Sequence, residues 1–461
     1  MFDARACPAL LGWLLILTGG AAGAQLTSGG SQSELLPGSR PNVLILLADD
    51  LGVDQLAVYR EGADFPSTPH IDRLRRRGVL FRNVWANTLC TPTRGTIMTG
   101  RYGFRTGLGH LTNNTHQPLL LEELTLPEML DLGTGSAYRH GAFGKWHLGN
   151  PSVGGPAAPN LAGWSHFDGV EENLFGLYDY FSYERITNGV VTPETGYVTS
   201  ATVDWTLEWL RTVEEPWVAY VAFNAPHDPF HAPPAALHTV DLSGAPPPGV
   251  DARPYYKAMV EAMDTEIGRL LAGIEPVLDD TVVIFLGDNG TPPDVIVPPF
   301  YFWQGKTTLF EGGVNVPMIV SGPLVEEPGS ECAALVNTTD LFGTVAEIAG
   351  VDLAQVVPAD TQLDTVSIVP YLRDPSRPSI REWVFTELFT PNGPGPYDIL
   401  HRAVRNDRYK YVDSSIHGEV LFDLWLDPFE LLSKVPGSLS PAEQLELDEL
   451  KGILTQLVAT P

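Results

Sequence analysis

Three runs in this sequence are apolar on both faces: Asn42 to Ala48 (NVLILLA), Trp217 to Phe223 (WVAYVAF) and Thr281 to Leu286 (TVVIFL). A strand with no polar face has to be covered on both sides, as the strands of a parallel sheet between two layers of helices are. Ser200 to Thr212 and Tyr255 to Ile274 carry helical spacing between these runs. The alternation predicts an α/β protein with a large, mainly parallel sheet sandwiched by helices. Beyond about Pro370 the texture changes. Trp383 to Leu388, Arg402 to Val412 and Glu419 to Leu424 read as shorter alternating strands, followed by a helix from Ser440 to Leu457. The expected division is a catalytic domain over 41–370 and a small α+β subdomain over 371–461.

Each apolar run ends in polar residues. The first leads into Asp49-Asp50, the second into Asn224-Ala225-Pro226-His227 and the third into Gly287-Asp288-Asn289-Gly290. Open α/β sheets bind ligands at the carboxyl ends of their strands, so these groups are expected at one rim. A single strand-terminal Asp is an ordinary turn residue; three such ends, two of them carboxylate clusters, are better explained by a site. Asp49, Asp50, Asp288 and Asn289 offer only oxygen, which selects a hard cation, Ca²⁺ or Mg²⁺, over zinc.

Charge narrows the partners. The 461 residues carry a net charge of −28, which argues against nucleic acid and requires any anionic substrate to meet a local cationic pocket. Lysine is scarce among the basic residues, and an acidic, lysine-poor surface of this kind stays hydrated in high salt, which suggests a saline habitat. At the amino end, Arg5, the apolar run Leu10 to Leu17 and Ala22-Gly23-Ala24 have the pattern of a secretory signal cleaved after Ala24. That run is shorter than the ~20 apolar residues of a membrane-spanning helix. Residues 25–40, rich in Ser and Gly, read as a linker, and the chain is expected to be exported to a periplasm or secreted. Three cysteines, Cys7, Cys90 and Cys332, make no disulfide framework, and cleavage removes the first.

The most specific stretch runs from Cys90 to Arg101 (CTPTRGTIMTGR). Pro two residues after Cys reads as a loop entering a helix, with residue 90 near the positive end of the helix dipole. A lone cysteine is more often a small buried hydrophobe than a nucleophile. The whole run, however, resembles the signature Cys-x-Pro-Ser/Thr-Arg followed by Thr-Gly-Arg of the formylglycine-dependent sulfatases of the alkaline phosphatase superfamily. Gly144-Lys145-Trp146-His147-Leu148-Gly149 is similar to that family's Gly-Lys-Trp-His motif, and NAPHDP from Asn224 to its Pro-His segment. Asp288-Asn289-Gly290 resembles its second metal pair, and Gly305-Lys306 through Glu311-Gly312-Gly313 its Lys and Glu-Gly-Gly motifs. Leu421 to Leu424 with Asp427-Pro428 resembles its C-terminal segment. The likeness spans about Pro41 to Glu430 in the family's order.

The resemblance implies that Cys90 is oxidised to formylglycine by a formylglycine-generating enzyme. In the family a hydroxyl of the hydrated aldehyde, held on Ca²⁺, attacks sulfur, and the second hydroxyl later expels sulfate. By position, Asp49, Asp50, Asp288 and Asn289 hold the metal together with residue 90, and Arg94 stabilises the hydrated aldehyde. His147 is the candidate base for the second hydroxyl. Lys145, Lys306 and His227 contact sulfate, with His227 or Lys306 protonating the leaving oxygen. Related enzymes with this motif hydrolyse phosphonate or phosphate esters, and an unmodified Cys90 would leave a binding protein without catalysis.

Other features are less specific. Asn113-Asn114-Thr115 and Asn337-Thr338-Thr339 fit the glycosylation pattern. Tyr301-Phe302-Trp303, before Lys306, and Tyr178 to Tyr183 could line a pocket or pack internally. Pro226 to Pro234 looks closest to sulfatases of sulfated sugars, and the surface charge favours small esters or chain ends over polymer interiors.

Overall fold

A computed structural model describes residues 40–416 and 418–460; the export signal and most of the linker expected at the amino end lie outside them. The main sheet has ten strands: β1 (Asn42–Ala48), β2 (Gly78–Trp85), β3 (Arg139–Lys145), β4 (His166–Val170), β5 (Ser182–Thr187), β6 (Val190–Thr195), β7 (Trp217–Ala222), β8 (Thr281–Gly287), β9 (Met318–Ser321) and β10 (Ser330–Asn337). Their order is β10-β2-β9-β8-β1-β7-β3-β4-β5-β6. The three apolar runs are β1, β7 and β8, and every residue in them is buried. They are neighbours, and with β3 and β4 they form an unbroken parallel block. One face packs Val43, Ile45 and Leu47 against the helices Cys90–Thr99 and Asp340–Ala349. The other packs Leu44 and Leu46 against Arg253–Gly273 and Val198–Leu210, the helices expected from spacing.

The C-terminal sheet is antiparallel: β11 (Val384–Thr390), β12 (Ile399–Arg405), β13 (Tyr409–Ser414) and β14 (Gly418–Asp423). The single strand expected over Arg402 to Val412 is two. Asn406 breaks it, because its side-chain oxygen accepts from the backbone N–H of Arg408 and Tyr409, closing a hairpin. One face of the sheet, with Val384, Ala403 and Val412, packs on Trp85 and Val314 of the main body. The other, with Phe385, Val404 and Leu421, is covered by Leu447, Leu450 and Leu454 of the terminal helix Pro441–Ala459. A capping box formed by Ser440 and Glu443 starts that helix.

Glu387 on β11 is buried, accepts a 2.6 Å hydrogen bond from the Phe104 N–H and lies 3.2 Å from Arg402 Nε. Burial raises its pKa to about 7 despite Arg402. The folded protein therefore holds this proton more tightly than the unfolded chain. The resulting stability is full below pH 4 and is lost as pH rises through 7. Glu387→Gln, which keeps the acceptor for Phe104, is expected to flatten the fall of melting temperature between pH 5 and 8.

Candidate active site

Four adjacent parallel strands deliver the predicted residues to one rim. β1 ends at Asp49-Asp50, β8 at Asp288-Asn289, β7 at the loop carrying Asn224 and His227, and β3 at Lys145 and His147. Cys90 opens the helix Cys90–Thr99 directly above them, and Lys306 enters from the loop after the short helix Phe302–Gln304. All are buried or nearly so.

The contacts join these residues into one cluster. Cys90 Sγ lies 3.3 Å from Asp49 Oδ1. Arg94 donates to Asp288 Oδ2 at 2.9 Å and to the Lys145 carbonyl at 2.8 Å. Lys145 pairs with Asp49, and Lys306 Nζ lies 2.6 Å from Asp50 Oδ1. His227 Nε2 is 3.6 Å from Asp50 Oδ2, while its Nδ1 is 2.6 Å from the Asp228 carbonyl oxygen. Donor atoms of Asp49, Asp50, Cys90 and His227 all lie within 4.8 Å of one another. Three carboxylates, Asp49, Asp50 and Asp288, thus face three cations, Arg94, Lys145 and Lys306.

Burial and neighbouring charge decide the protonation states. Burial pushes the Asp49 carboxyl up, but Lys145, His227, Arg94 and Lys306 outweigh it and hold it well below the usual range. Asp288 goes the other way, to about 7, because burial and the Asp49 charge exceed what Arg94 returns. Burial, with Asp288 and Asp49 nearby, pushes the Cys90 thiol well up. An unmodified Cys90 is a protonated thiol here and a poor nucleophile. Burial, helped by Lys145 and Arg94, lowers His147 and keeps it neutral.

The residue set fits a hard cation. Asn289 donates through Nδ2 to Asp50 at 2.7 Å, and its carbonyl oxygen Oδ1 is buried without a partner. An orphaned buried oxygen beside three buried carboxylates is what an oxygen-preferring cation satisfies.

The backbone here is strained and pinned. Asp50, His147 and the β-branched Thr307 have φ of 68°, 59° and 76°, a region non-glycine residues rarely occupy. Each is held from outside its own segment. Asp50 donates its N–H to Asp288 and accepts from Tyr256 OH; His147 donates to the Glu171 carbonyl and accepts from Thr91 Oγ1; Thr307 donates to the Thr88 carbonyl. Gly144 precedes Lys145 at φ 83°, and a Cβ there would lie 2.0 Å from the Ala222 carbonyl oxygen. Gly144→Ala is expected to cost about 2 kcal/mol or more in chemical denaturation and to impair turnover by displacing Lys145.

Several contacts escaped the sequence reading. Tyr180 OH donates to the carbonyls of Asn224 and His227, fixing the His227 loop. Glu311 accepts from Trp85, Arg405 and Lys410, and Lys410 also pairs with Glu430 at 2.7 Å, all buried. This cluster ties the Glu-Gly-Gly turn to the C-terminal sheet. Of the open readings, Tyr178 is exposed while Tyr180 and Tyr183 are buried, and Tyr301 and Trp303 stack 5.8 Å apart with both partly exposed. Asn337 is buried and donates to the Phe385 carbonyl, so it is no glycosylation acceptor in the folded protein; Asn113 is exposed. Cys332 is buried and has no disulfide partner among the described residues.

Comparison with known proteins gives the same class. The sulfatase family model matches residues 41–351, and the model of the N-sulphoglucosamine sulphohydrolase C-terminal region matches 300–451. The chain belongs to the sulfatase family, the sulfuric ester hydrolases. It is 29% identical to Arylsulfatase A of Bos taurus over 467 residues, covering 90% of this chain and 88% of that one. It is also 29% identical to N-acetylgalactosamine-6-sulfatase of Sus scrofa, covering 78% and 69%. The fold matches that of the PsFucS1 sulfatase from Pseudoalteromonas sp., with a TM-score of 0.72 at 22% identity over 92% and 91% of the chains. It also matches BT4656 in complex with its substrate D-glucosamine-2-N,6-O-disulfate, with a TM-score of 0.71 at 20% identity over 91% and 98%.

Proposed function

We propose that the protein is exported and hydrolyses a sulfate monoester, of a sulfated sugar or an aryl alcohol, using formylglycine made from Cys90 by a formylglycine-generating enzyme. The observation that carries this reading is the convergence of Cys90, four oxygen-ligand residues and three cations on one rim. Asp49, Asp50, Asp288, Asn289 and residue 90 would hold Ca²⁺, or Mg²⁺ in its place. When present, the cation supplies Lewis acidity and the hydrated aldehyde supplies the nucleophile.

The chain's own residues do the rest. Without a divalent cation the three carboxyl groups at most balance the three cations, so the cation's two charges would make the site a net anion trap inside a chain at −28. Lys145 and Lys306, paired with Asp49 and Asp50 at the rim, would contact the sulfate oxygens. Arg94 orients residue 90 while bound to Asp288. Neutral His147 can take a proton, and its orphaned Nδ1 has no competing partner. His227, with Nδ1 against the Asp228 carbonyl, keeps Nε2 toward the cluster, where it or Lys306 protonates the departing oxygen. The proposed organisation is an export signal to Ala24, a linker, the catalytic region 41–370 and the C-terminal region 371–461. No described helix is long and apolar enough to cross a membrane.

Phosphonate esters are the competing substrate class. With one chromophore on both, the sulfate monoester is expected to be turned over at least ~100-fold faster than the phosphonate monoester by kcat/KM; the reverse order would replace this reading.

A further inference from the structure

A cavity of about 460 Å³ opens beside the cluster, with His147 in its wall. His147 is only 3% exposed and its Nδ1 has no hydrogen-bond partner. Phe175 also lines it, its ring edge-on to the His227 ring with centroids 5.7 Å apart. The cavity therefore touches His147 directly and reaches His227 through Phe175, where the alcohol part of an ester must sit once sulfate is on the cations.

Its charge is opposite to that of the sulfate end. Glu171 follows β4, Glu172 is next to it, and Glu184 comes from β5; all three line the cavity. Tyr178 also lines it. No lysine or arginine is among the lining residues, and none of the three glutamates has an ion-pair partner among the described residues. Ionised carboxylates are acceptors only and suit the donor hydroxyls of a sugar, while Phe175 and Tyr178 offer flat apolar faces. A second anionic group on the substrate would meet uncompensated negative charge.

We infer that this cavity is the leaving-group subsite and that Glu171, Glu172 and Glu184 restrict the enzyme to esters whose alcohol part is neutral or cationic, rejecting those with a carboxylate or second sulfate beside the scissile group. This rests on the sulfate-ester reading above.

Two aryl sulfates with the same nitrophenyl chromophore, one bearing a hydroxymethyl group and one a carboxylate, separate the possibilities. Comparing variant with wild type on each probe cancels their different intrinsic reactivity. In Glu171→Gln/Glu172→Gln/Glu184→Gln, kcat/KM for the carboxylated probe is expected to rise ~10-fold relative to the neutral probe. Raising NaCl from 50 mM to 1 M is expected to shrink wild-type discrimination, and the variant's much less, because the screening length falls to ~3 Å. Glu184→Gln alone, at an exposed position, is expected to show a smaller change of the same sign if the triple variant folds poorly. An unchanged ratio in the variants, with the neutral probe still turned over, would overturn this inference and leave sulfate hydrolysis intact. No sulfate release from either probe or from a panel of sulfated sugars, by wild-type protein carrying formylglycine, would overturn both.

Discussion

Cys90→Ala is expected to lower kcat for an aryl sulfate by ~10⁴-fold or more, because it removes the attacking group itself and no neighbour can take its place. The fold should survive. Cys90 is fully buried at the start of its helix, but its sulfur has one polar contact, to Asp49, and trimming one buried atom costs on the order of 1 kcal/mol. Circular dichroism and melting temperature should therefore stay close to wild type while steady-state turnover disappears. Cys90→Ser tests the same point with the shape retained: an unoxidised serine has one hydroxyl, so a sulfate ester formed on it has no second hydroxyl to expel sulfate and turnover should stop. Substantial turnover by Cys90→Ala would remove residue 90 from the chemistry.

Removing the divalent cation should act as strongly through a different route. Chelation is expected to reduce turnover at least ~100-fold, with recovery on adding Ca²⁺ or Mg²⁺. It should also lower stability, because an ion that binds only the folded state at 100 times its Kd contributes about 2.7 kcal/mol. In Asp288→Ala, Arg94 loses its 2.9 Å partner and the Asp50 N–H loses its acceptor. That variant should lose both activity and the stabilisation by added cation. Full activity after exhaustive chelation would show that Lys145, Lys306 and Arg94 alone activate the ester.

Much of the architecture was readable because the central strands have no polar face. β1, β7 and β8 lie within a residue or so of the apolar runs that announced them. Strand ends were legible for the same reason, since polarity returns abruptly at Asp49, Asn224 and Asp288. The hairpin at Asn406 was not, because one residue's side-chain hydrogen bonds break an otherwise continuous alternating pattern. The buried Glu311-Lys410-Glu430 cluster was also hidden. Its members come from different elements, and isolated charges in a sequence look like solvated surface. Glu171 and Glu184 were missed for a related reason: only the pairing of β4 with β5 brings them to one cavity.

In the working enzyme, residue 90 is expected to be formylglycine and no longer cysteine. Mass spectrometry of the peptide spanning Cys90, from turnover-competent protein purified from its native host, tests it most directly. The aldehyde mass is expected, with capture by a hydrazide. An intact Cys90 thiol throughout a fully active preparation would contradict it.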